Sequence, residues 1–359
     1  MPAHGSEGDE AMTDRASELD TPTPAGAPPE AALMPLLMGG FVTQSISVVA
    51  RFGVADVLAE GPRPVEEIAA EVGAHTLSLY RVLRVVADFG VLTELPGRRF
   101  ALTAQGELLR SDHSPSLRGL ATHFGSHFHR AAWSHLYESV ASGRPAFDLA
   151  HGEPQFEYYR THPEEAAIFD GAMTSVASTI YATLEAYDFS RFGTVADIGG
   201  GNGAYLAGIL AKNPELRGIL FDLPDVVERS ASVLRGAGVA DRCEVVGGSF
   251  FDGVPAGADA YVLTAVVHDW EDDRAVDILR TVRAAMPEHA TVLLGEPVVP
   301  DGPEPSVAKL LDLETLVGTT GRQRTESEFR DLLDRSGLRL TRIIHSSGPD
   351  SLVEAVARR

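Results

Sequence analysis

The sequence predicts an α/β fold in which a Rossmann-like, doubly wound parallel sheet ending in an antiparallel hairpin follows an α-helical domain of winged-helix type. Three observations lead to this prediction. Apolar strand-like segments alternate with helical ones after residue 188, a glycine-rich turn follows the first of these strands, and only six residues, 345–350, separate the last two strands. Because six residues are too few for a crossover helix, these two strands are expected to pair antiparallel at a sheet edge.

Seven strands and four helices are predicted in the alternating region, residues 188–359. The strands fall at residues 194–198, 217–221, 243–246, 258–263, 291–294, 339–344 and 351–357. The helices fall at residues 204–212, 226–236, 273–285 and 326–336.

The chain before the sheet divides into three segments. Residues 1–32 are acidic and proline-rich and are expected to form a disordered tail without chemistry. Residues 33–112 follow a helix, turn, helix, wing order, in which Gly39 and Gly40 bend or interrupt the first, apolar helix. The elements of this segment are predicted at residues 31–51, 64–71, 76–89 and 91–102. Residues 113–187 lack alternating strands and are expected to be helices joined by loops.

Charge and cysteine content exclude several kinds of partner. The formal net charge of -21 argues against general affinity for nucleic acids or anionic membranes. Residues 31–112 hold seven Arg and nine acidic residues, so a DNA-binding sensor built on the winged helix is an unfavoured alternative. The single cysteine, the lack of a secretory leader and the lack of a continuous apolar run of membrane-spanning length indicate a soluble cytoplasmic protein.

The glycine turn predicts a nucleoside site. In Val195-Ala196-Asp197-Ile198-Gly199-Gly200-Gly201-Asn202-Gly203 a buried strand leads into bare main chain at the start of a helix, where a ligand can approach closely. Asp222 follows the next strand, about 20 residues on, where an acid can bind ribose hydroxyls; its structural alternative is a helix N-cap. Since Gly199, Gly201 and Ala204 also satisfy the G-x-G-x-x-G/A fingerprint, a nicotinamide dehydrogenase remains an alternative.

Further polar residues follow the later strands. Ser249 and Phe250 could face an adenine, although core packing would also explain the phenylalanine. His268, followed by Asp269, places a group that titrates near neutral pH at a strand end, where it could take a proton. Glu296, after the fifth strand, could orient His268 and stabilise the imidazolium.

A metal site is not expected. His123 and His127 lie one helical turn apart, but no H-E-x-x-H motif or carboxylate cluster accompanies them. We therefore interpret these histidines as structural or pocket-lining residues.

Five motifs together resemble the plant-type, S-adenosylmethionine-dependent O-methyltransferases, and especially the bacterial members that modify aromatic natural products. The resemblance extends from about Leu33 to the C-terminus. The motifs are Val195–Gly203, Phe221-Asp222-Leu223-Pro224, Gly248-Ser249-Phe250-Phe251, His268-Asp269-Trp270 and Arg324-Thr325-Glu326-Ser327-Glu328-Phe329.

The resemblance implies a role for each site residue. The cofactor-binding residues would be Gly199 and Gly201 at the methionine and ribose portions, Asp222 at the ribose hydroxyls, Ser249 and Phe250 at the adenine, and Thr264 at the amino-acid end. The catalytic group would comprise His268 as general base, with Glu296, Asp269 and Gln323. The acceptor would be held by Met173. Independently of the resemblance, aromatic residues of segment 113–187 suggest a planar aromatic guest, with ordinary helix packing as the alternative: Trp133, Phe156 and Tyr159. The winged helix would form a homodimer.

Two positions depart from the family pattern. Ser249 stands where an Asp is common, and Gln323 stands where a second catalytic Glu is frequent, so Glu296 is left as the obvious carboxylate for His268. We predict methyl transfer from S-adenosylmethionine to a phenolic hydroxyl of a small aromatic metabolite. The alternative is non-methylating chemistry, such as hydroxylation, decarboxylation or rearrangement, on the same fold and cofactor.

Overall fold

The computed structural model describes residues 28–358, except for the side chains of residues 177–179. Most of the predicted disordered tail, residues 1–27, lies outside the described residues. The first helix begins at Pro29, so residues 29–32, which we expected to be disordered, are helical.

The N-terminal domain has the predicted winged-helix arrangement. Its three short strands form an antiparallel sheet in the order β1-β3-β2. Val49, Ile68, Leu83 and Phe100 are fully buried in its core. The elements are α1 (Pro29–Leu37), α2 (Gly39–Phe52), α3 (Val54–Val57), β1 (Arg63–Pro64), α4 (Val65–Val72), α5 (Thr76–Asp88), β2 (Leu92–Leu95) and β3 (Arg99–Leu102).

The first two helices leave large apolar side chains in solvent. Leu36, Leu37 and Phe41 are 72%, 70% and 66% exposed. By length and composition alone, residues 29–52 would suffice to cross a membrane, and 11% of the most apolar 18-residue window is buried. We expected no apolar run of this length, but the mean hydropathy of the helix pair reaches the level of one. An exposed apolar surface of this kind marks an interaction site.

Residues 113–187 form helices joined by loops, as predicted, and the short helix α6 precedes them. The helices pack around a small core that includes Phe128, Ala132, Phe147 and Val317. They are α6 (Ala104–Glu107), α7 (Arg118–Phe124), α8 (His127–Trp133), α9 (Leu136–Ser142), α10 (Ala146–His151), α11 (Gln155–Thr161), α12 (Pro163–Ile180) and α13 (Ala182–Ala186).

The C-terminal domain is a mixed sheet in the order β10-β11-β8-β7-β4-β5-β6, with the short β9 beside β8. The pairs from β8 to β6 are parallel, and β11 is antiparallel to both β8 and β10, which confirms the terminal hairpin. The strands are β4 (Thr194–Ile198), β5 (Arg217–Asp222), β6 (Cys243–Gly247), β7 (Ala260–Thr264), β8 (Thr291–Val299), β9 (Arg324–Thr325), β10 (Leu338–His345) and β11 (Asp350–Ala357).

Helices cover both faces of this sheet, so its central strands β4, β7 and β8 are mostly buried, whereas the edge strands β6 and β10 are partly exposed. One face packs against α17 and α19, and the other against α13, α14 and α16. The helices of the domain are α14 (Ala204–Lys212), α15 (Pro224–Val227), α16 (Ala231–Gly236), α17 (Asp272–Ala285), α18 (Val307–Gly318) and α19 (Glu326–Arg335). The chain returns from β6 to β7 beside β4, which opens a crevice at the carboxyl ends of β4 and β7.

Helix α18 and the short strand β9 were not predicted, and two predicted elements have different bounds from those expected. The single helix expected at 226–236 is broken into α15 and α16, where the Ser230 hydroxyl donates to the Val227 carbonyl at 2.7 Å and competes with the helical ladder. Strand β8 runs five residues past the predicted end at Leu294, because it pairs with β11 through Pro297 and with β9 at Val298.

Candidate functional site

The glycine turn after β4 adopts a backbone that only glycine accepts without strain. Gly199, Gly201 and Gly203 have φ of 71°, 59° and 80°. A Cβ on Gly199 would lie 2.8 Å from Val266 Cγ2, whereas one on Gly201 would meet nothing within 4 Å. The turn therefore packs tightly against the loop after β7 and is open over Gly201, as a cradle for a ligand requires.

Asp222 braces this turn from the next strand. Its Oδ2 accepts a hydrogen bond from the Gly201 amide at 2.8 Å, and its Oδ1 accepts one from the Leu223 amide at 2.6 Å. The N-cap of α15 is Leu223, so the helix-cap alternative for Asp222 is wrong. Burial raises the pKa of Asp222, while these two amide hydrogen bonds lower it.

Two hydroxyls and an aromatic ring lie at the neighbouring strand ends. The Thr264 hydroxyl is buried and has no hydrogen-bond partner within the described chain, which points to a missing ligand group. The Ser249 hydroxyl accepts from the Phe251 amide at 3.2 Å. Phe250 lies 3.8 Å from the Gly199 Cβ position and packs edge-on against Trp270. The glycine cradle, Asp222 and the unpaired Thr264 hydroxyl fit a nucleoside with an amino-acid tail.

His268 and Glu296 form a hydrogen-bonded pair beside this cradle. His268 lies on a 3-10 helix, Val267–Asp269, directly after β7, and Glu296 is fully buried on β8. Glu296 Oε1 accepts from the Val267 amide at 2.8 Å, and its Oε2 accepts from His268 Nδ1. Because a carboxylate can only accept, the ring proton stays at Nδ1 and Nε2 is left to take another proton.

The charges around His268 make it a stronger base than a free imidazole. Burial lowers the pKa of His268, but the charges of Glu296 and Asp269 and the Glu296 hydrogen bond outweigh burial and raise the pKa to about 9. Asp269 Oδ1 lies 3.7 Å from His268 Nε2. Burial raises the pKa of Asp269 to about 6, so this carboxyl is ionised at neutral pH and favours the imidazolium.

Two residues that the sequence analysis did not assign support this pair. Asp350, at the start of β11, is opposite Pro297 in the ladder, and burial followed by repulsion from Glu296 raises its pKa to about 6. Arg324 is 1% exposed and donates to the Val267 and Trp270 carbonyls at 3.0 and 2.9 Å, which clamps the turn that carries His268. The pairing of the terminal hairpin with β8 could have predicted that Asp350 lies near this pair. Arg324 belongs to one of the five motifs, but its position in the sequence does not indicate that it hydrogen-bonds to the turn that carries His268.

The predicted acceptor residues lie on helices α8, α11 and α12. Tyr159 stacks on Phe169 with ring centroids 4.7 Å apart, and Phe156 meets the same ring edge-on at 6.4 Å. The Trp133 indole donates to Glu314 on α18 at 2.9 Å. Met173, on α12, is 39% exposed. Tyr159, Phe156 and Trp133 therefore belong to one connected group, in which Phe169, His123, His129 and Glu314 link the rings of Tyr159 and Phe156 to the indole.

Comparison with known proteins identifies the family. Residues 133–339 match the O-methyltransferase domain, and residues 34–112 match the O-methyltransferase dimerisation domain. The chain belongs to the O-methyltransferase family. This confirms the resemblance drawn from the motifs and favours O-methylation over the dehydrogenase and DNA-sensor alternatives.

Three relatives of this O-methyltransferase illustrate the match. It is 43% identical over 333 residues to the phenazine O-methyltransferase PhzM of Lysobacter antibioticus, covering 92% of this chain and 97% of that protein. It is 39% identical over 331 residues to the O-demethylpuromycin-O-methyltransferase of Streptomyces alboniger, covering 90% and 88%. The structure of CalO1, a methyltransferase in calicheamicin biosynthesis in its SAH-bound form, has a TM-score of 0.82 at 36% identity, covering 91% and 97%.

Gln323, the position at which the resemblance implied a second carboxylate, is bound to helix α18. Its side-chain amide donates to Thr315 Oγ1 at 3.1 Å, and among residues 28–358 it forms no hydrogen bond to His268. Its Oε1 is buried without a partner in the same residues. Glu296 is therefore the carboxylate that hydrogen-bonds to His268, and a catalytic part for Gln323 remains a prediction.

The histidine pair weighed in the sequence analysis is not a pair in the O-methyltransferase fold. His127 is exposed, whereas His123 is 4% exposed. The neighbour of His123 is His129, with ring centroids 4.5 Å apart, and His129 Nε2 lies 2.8 Å from Glu314 Oε1. The helix is interrupted between residues 123 and 127, since α7 ends at Phe124 and α8 begins at His127, so the one-turn spacing of a continuous helix does not apply to these two residues.

Proposed function

We propose that this O-methyltransferase transfers a methyl group from S-adenosylmethionine to a phenolic hydroxyl of a planar aromatic natural product, with His268 as the general base. The observation that carries the proposal is the buried Glu296 bound to His268 Nδ1, which leaves Nε2 free at the edge of the glycine cradle. Gly199, Gly201, Asp222, Ser249, Phe250 and Thr264 would hold the cofactor. When bound, the cofactor supplies a methyl group on a sulfonium that departs as a neutral thioether.

The raised pKa suits His268 to a phenol. A phenol has a pKa of about 10, so giving its proton to a neutral base of pKa about 9 is uphill by roughly one unit, or about 1.4 kcal/mol. A neutral imidazole of ordinary pKa, about 6.5, would make the same step uphill by roughly 5 kcal/mol. At neutral pH the neutral form of His268 is the minor one, so this advantage is realised in full only as the pH rises toward 9. The O–H bond breaks as its proton moves to His268 Nε2, and the oxygen keeps the electron pair that attacks the methyl carbon.

Glu296 and Asp269 then stabilise the charge that His268 acquires. Glu296 holds one tautomer through Nδ1, and its Oε1 is itself held by the Val266 and Val267 amides at 3.3 and 2.8 Å. Arg324 fixes the turn, so the position of Nε2 does not depend on a mobile loop. In this account the chain's own residues supply proton uptake and alignment.

We also infer a soluble, cytoplasmic homodimer. The exposed apolar surface of α1 and α2 lies in the segment that matches the dimerisation domain, residues 34–112. A second copy of the same surface would cover it at a two-fold interface, which explains an apolar helix pair without a membrane.

The test is product mass. The purified enzyme is incubated with S-adenosylmethionine carrying a deuterated methyl group and a set of hydroxylated naphthalenes, phenazines and benzoates. A gain of one deuterated methyl on an aromatic oxygen supports the proposal. A product that gains a hydroxyl or loses carbon dioxide without the label would instead support the non-methylating alternative, which Gln323 keeps open.

A further inference from the structure

Two buried imidazoles in the helical region have nitrogen atoms without partners. His123 and His129 are 4% and 8% exposed, and the Nδ1 atom of each is buried with no hydrogen-bond partner in the described part of the chain. Buried polar atoms in folded proteins are paired with few exceptions, and each exception indicates a missing partner. The two rings are adjacent, with centroids 4.5 Å apart, so one missing partner could bind both Nδ1 atoms.

The other side of the His129 ring is already committed. Glu314 Oε1 lies 2.8 Å from His129 Nε2, and Glu314 Oε2 accepts from the Trp133 indole at 2.9 Å. Burial raises the pKa of Glu314, but the His129 hydrogen bond and the nearby His129 charge outweigh it and lower the pKa, so the carboxylate is ionised and accepts from both. The Trp133 indole nitrogen also lies 3.1 Å from His129 Nε2. Because the Glu314 carboxylate can only accept and is closer to Nε2, at 2.8 Å, we place the His129 ring proton at Nε2 and the indole hydrogen on Glu314, which leaves Nδ1 on the side of the ring away from Glu314.

His123 is a neutral imidazole. Burial, followed by the neighbouring His129, lowers its pKa to about 4. A neutral imidazole has one donor and one acceptor nitrogen. The two rings together thus offer both kinds of hydrogen-bonding atom to one small polar group.

This polar pair is set in the aromatic wall proposed for the acceptor. The His123 ring has Phe128 at 5.5 Å and Phe169 at 5.8 Å, and Phe169 stacks on Tyr159 at 4.7 Å. Glu314 belongs to α18. The next residue of that helix, Thr315, accepts a hydrogen bond from Gln323. Gln323 lies two residues after Gly321, whose main chain packs against the main chain of His268. One helix therefore connects the imidazole pair to the catalytic edge.

We propose that His123 and His129, oriented by Glu314, form a specificity subsite that binds a second hydroxyl group of the aromatic acceptor. A hydroxyl both donates and accepts, so it can satisfy the two Nδ1 atoms at once, which an ether, a methyl group or a hydrogen cannot. A site built to hydrogen-bond a substrate hydroxyl rejects the analogue that lacks it, because its own buried polar atoms stay unpaired. The subsite rests on the proposed function, since it concerns the same acceptor.

The turnover experiment compares dihydroxynaphthalene isomers, each with its parent naphthol. For at least one isomer, the wild-type enzyme is expected to show a kcat/KM about 10- to 100-fold above that of the parent. The His123→Phe variant keeps an aromatic ring of similar size. In this variant the ratio of kcat/KM for the isomer to kcat/KM for its parent naphthol is expected to fall to about one, while kcat/KM for the parent is maintained. His151→Phe is the matched control: His151 Nε2 lies 3.0 Å from the Phe128 carbonyl in the same helical region.

A binding experiment on the unaltered protein separates the subsite from the proposed function. With ring nitrogens labelled in histidine, each dihydroxynaphthalene isomer is added in turn. At least one isomer is expected to shift the Nδ1 resonances of His123 and His129, and its parent naphthol is not. This readout needs no turnover. If no naphthol is methylated but these shifts occur, phenol methylation fails and the subsite stands.

Two results would overturn the subsite. One is an unchanged ratio of kcat/KM values in His123→Phe, together with Nδ1 resonances that do not shift when the second hydroxyl is present. That result would mean that the two histidines bind a buried water or serve only to stabilise the fold. The other is a response of the same resonances to added Zn²⁺ alone: one ligand atom from each of His123, His129 and Glu314 lies within 4.8 Å of the other two, so a metal site is the competing assignment.

Discussion

The catalytic edge of the sheet and the helical acceptor region solve the same problem, the placement of side chains, in different ways. At the sheet edge, backbone amides hold the acids: Gly201 and Leu223 bind Asp222, and Val266 and Val267 bind Glu296. In the helical region, side chains hold one another, as Trp133, His129 and Glu314 do. The position of a side chain that follows a strand is set by the topology of the sheet. The position of a side chain that is held by other side chains depends on how all of them pack.

This difference decides how much the sequence could predict. Parallel strands end at one edge, so residues after successive strands meet there, and the predicted Asp222, Thr264, His268 and Glu296 do adjoin the glycine turn. In the helices the relevant rule is a 3.6-residue period, which selected His127 as the partner of His123 where packing selects His129. Glu314 and Arg324 were not predicted as site residues, because their partners are remote in sequence.

The largest expected effect comes from Glu296→Gln. The glutamine amide would donate to His268 Nδ1, force the ring proton to Nε2 and remove the base, so kcat on an unactivated phenol should fall by about 10²- to 10⁴-fold. Cofactor affinity, measured by calorimetry, should stay within about twofold. Glu288→Gln, which changes a side chain that is 72% exposed, is the control. A variant with near-normal kcat would show that the sheet edge does not fix the tautomer.

Arg324→Gln tests whether the clamp positions the base. Two carbonyls and Asp272 would lose a buried cation, so we expect a kcat about 10²-fold lower and a loss of roughly 3 kcal/mol in the free energy of unfolding. Both are measured below the melting temperature, with Arg339→Gln on the exposed face of β10 as control. A stability loss with unchanged kcat would make Arg324 a purely structural residue.

The pH dependence of kcat/KM should show the raised pKa of His268. The base is active when neutral, so kcat/KM on a phenol should rise about tenfold per pH unit below about 9 and level off above it. In Asp269→Asn, loss of a negative charge beside Nε2 should move the inflection to lower pH. An inflection near 6.5 in the wild type would contradict the electrostatics described for the sheet edge.

Gly199→Ala tests the cofactor cradle. Alanine at φ 71° is strained, and its Cβ would lie 2.8 Å from Val266, so the dissociation constant for S-adenosylmethionine should rise by about tenfold or more. Gly143→Ala, with φ 73° and nothing within 4 Å of its Cβ, carries the same strain away from the site. Equal dissociation constants for S-adenosylmethionine in the two variants would show that the glycine turn does not bind the cofactor.

The smallest effect on chemistry is expected at the apolar surface of α1 and α2. Leu37→Glu and Phe41→Glu should convert the dimer to monomer in light scattering, because charge at a two-fold interface faces itself. Val245→Glu, on the outermost strand β6, is the control. A wild-type protein that is already monomeric would contradict the homodimer.

The most direct test of proton transfer to His268 is the dependence of kcat on phenol acidity in the wild type and in His268→Ala, over a series from unsubstituted to nitro-substituted phenols. The account predicts a shallow dependence in the wild type and a steep one in the variant, so that the two rates converge on phenols already ionised at neutral pH. Parallel dependences, with an equal loss at every acidity, would show that His268 positions the acceptor and does not take its proton.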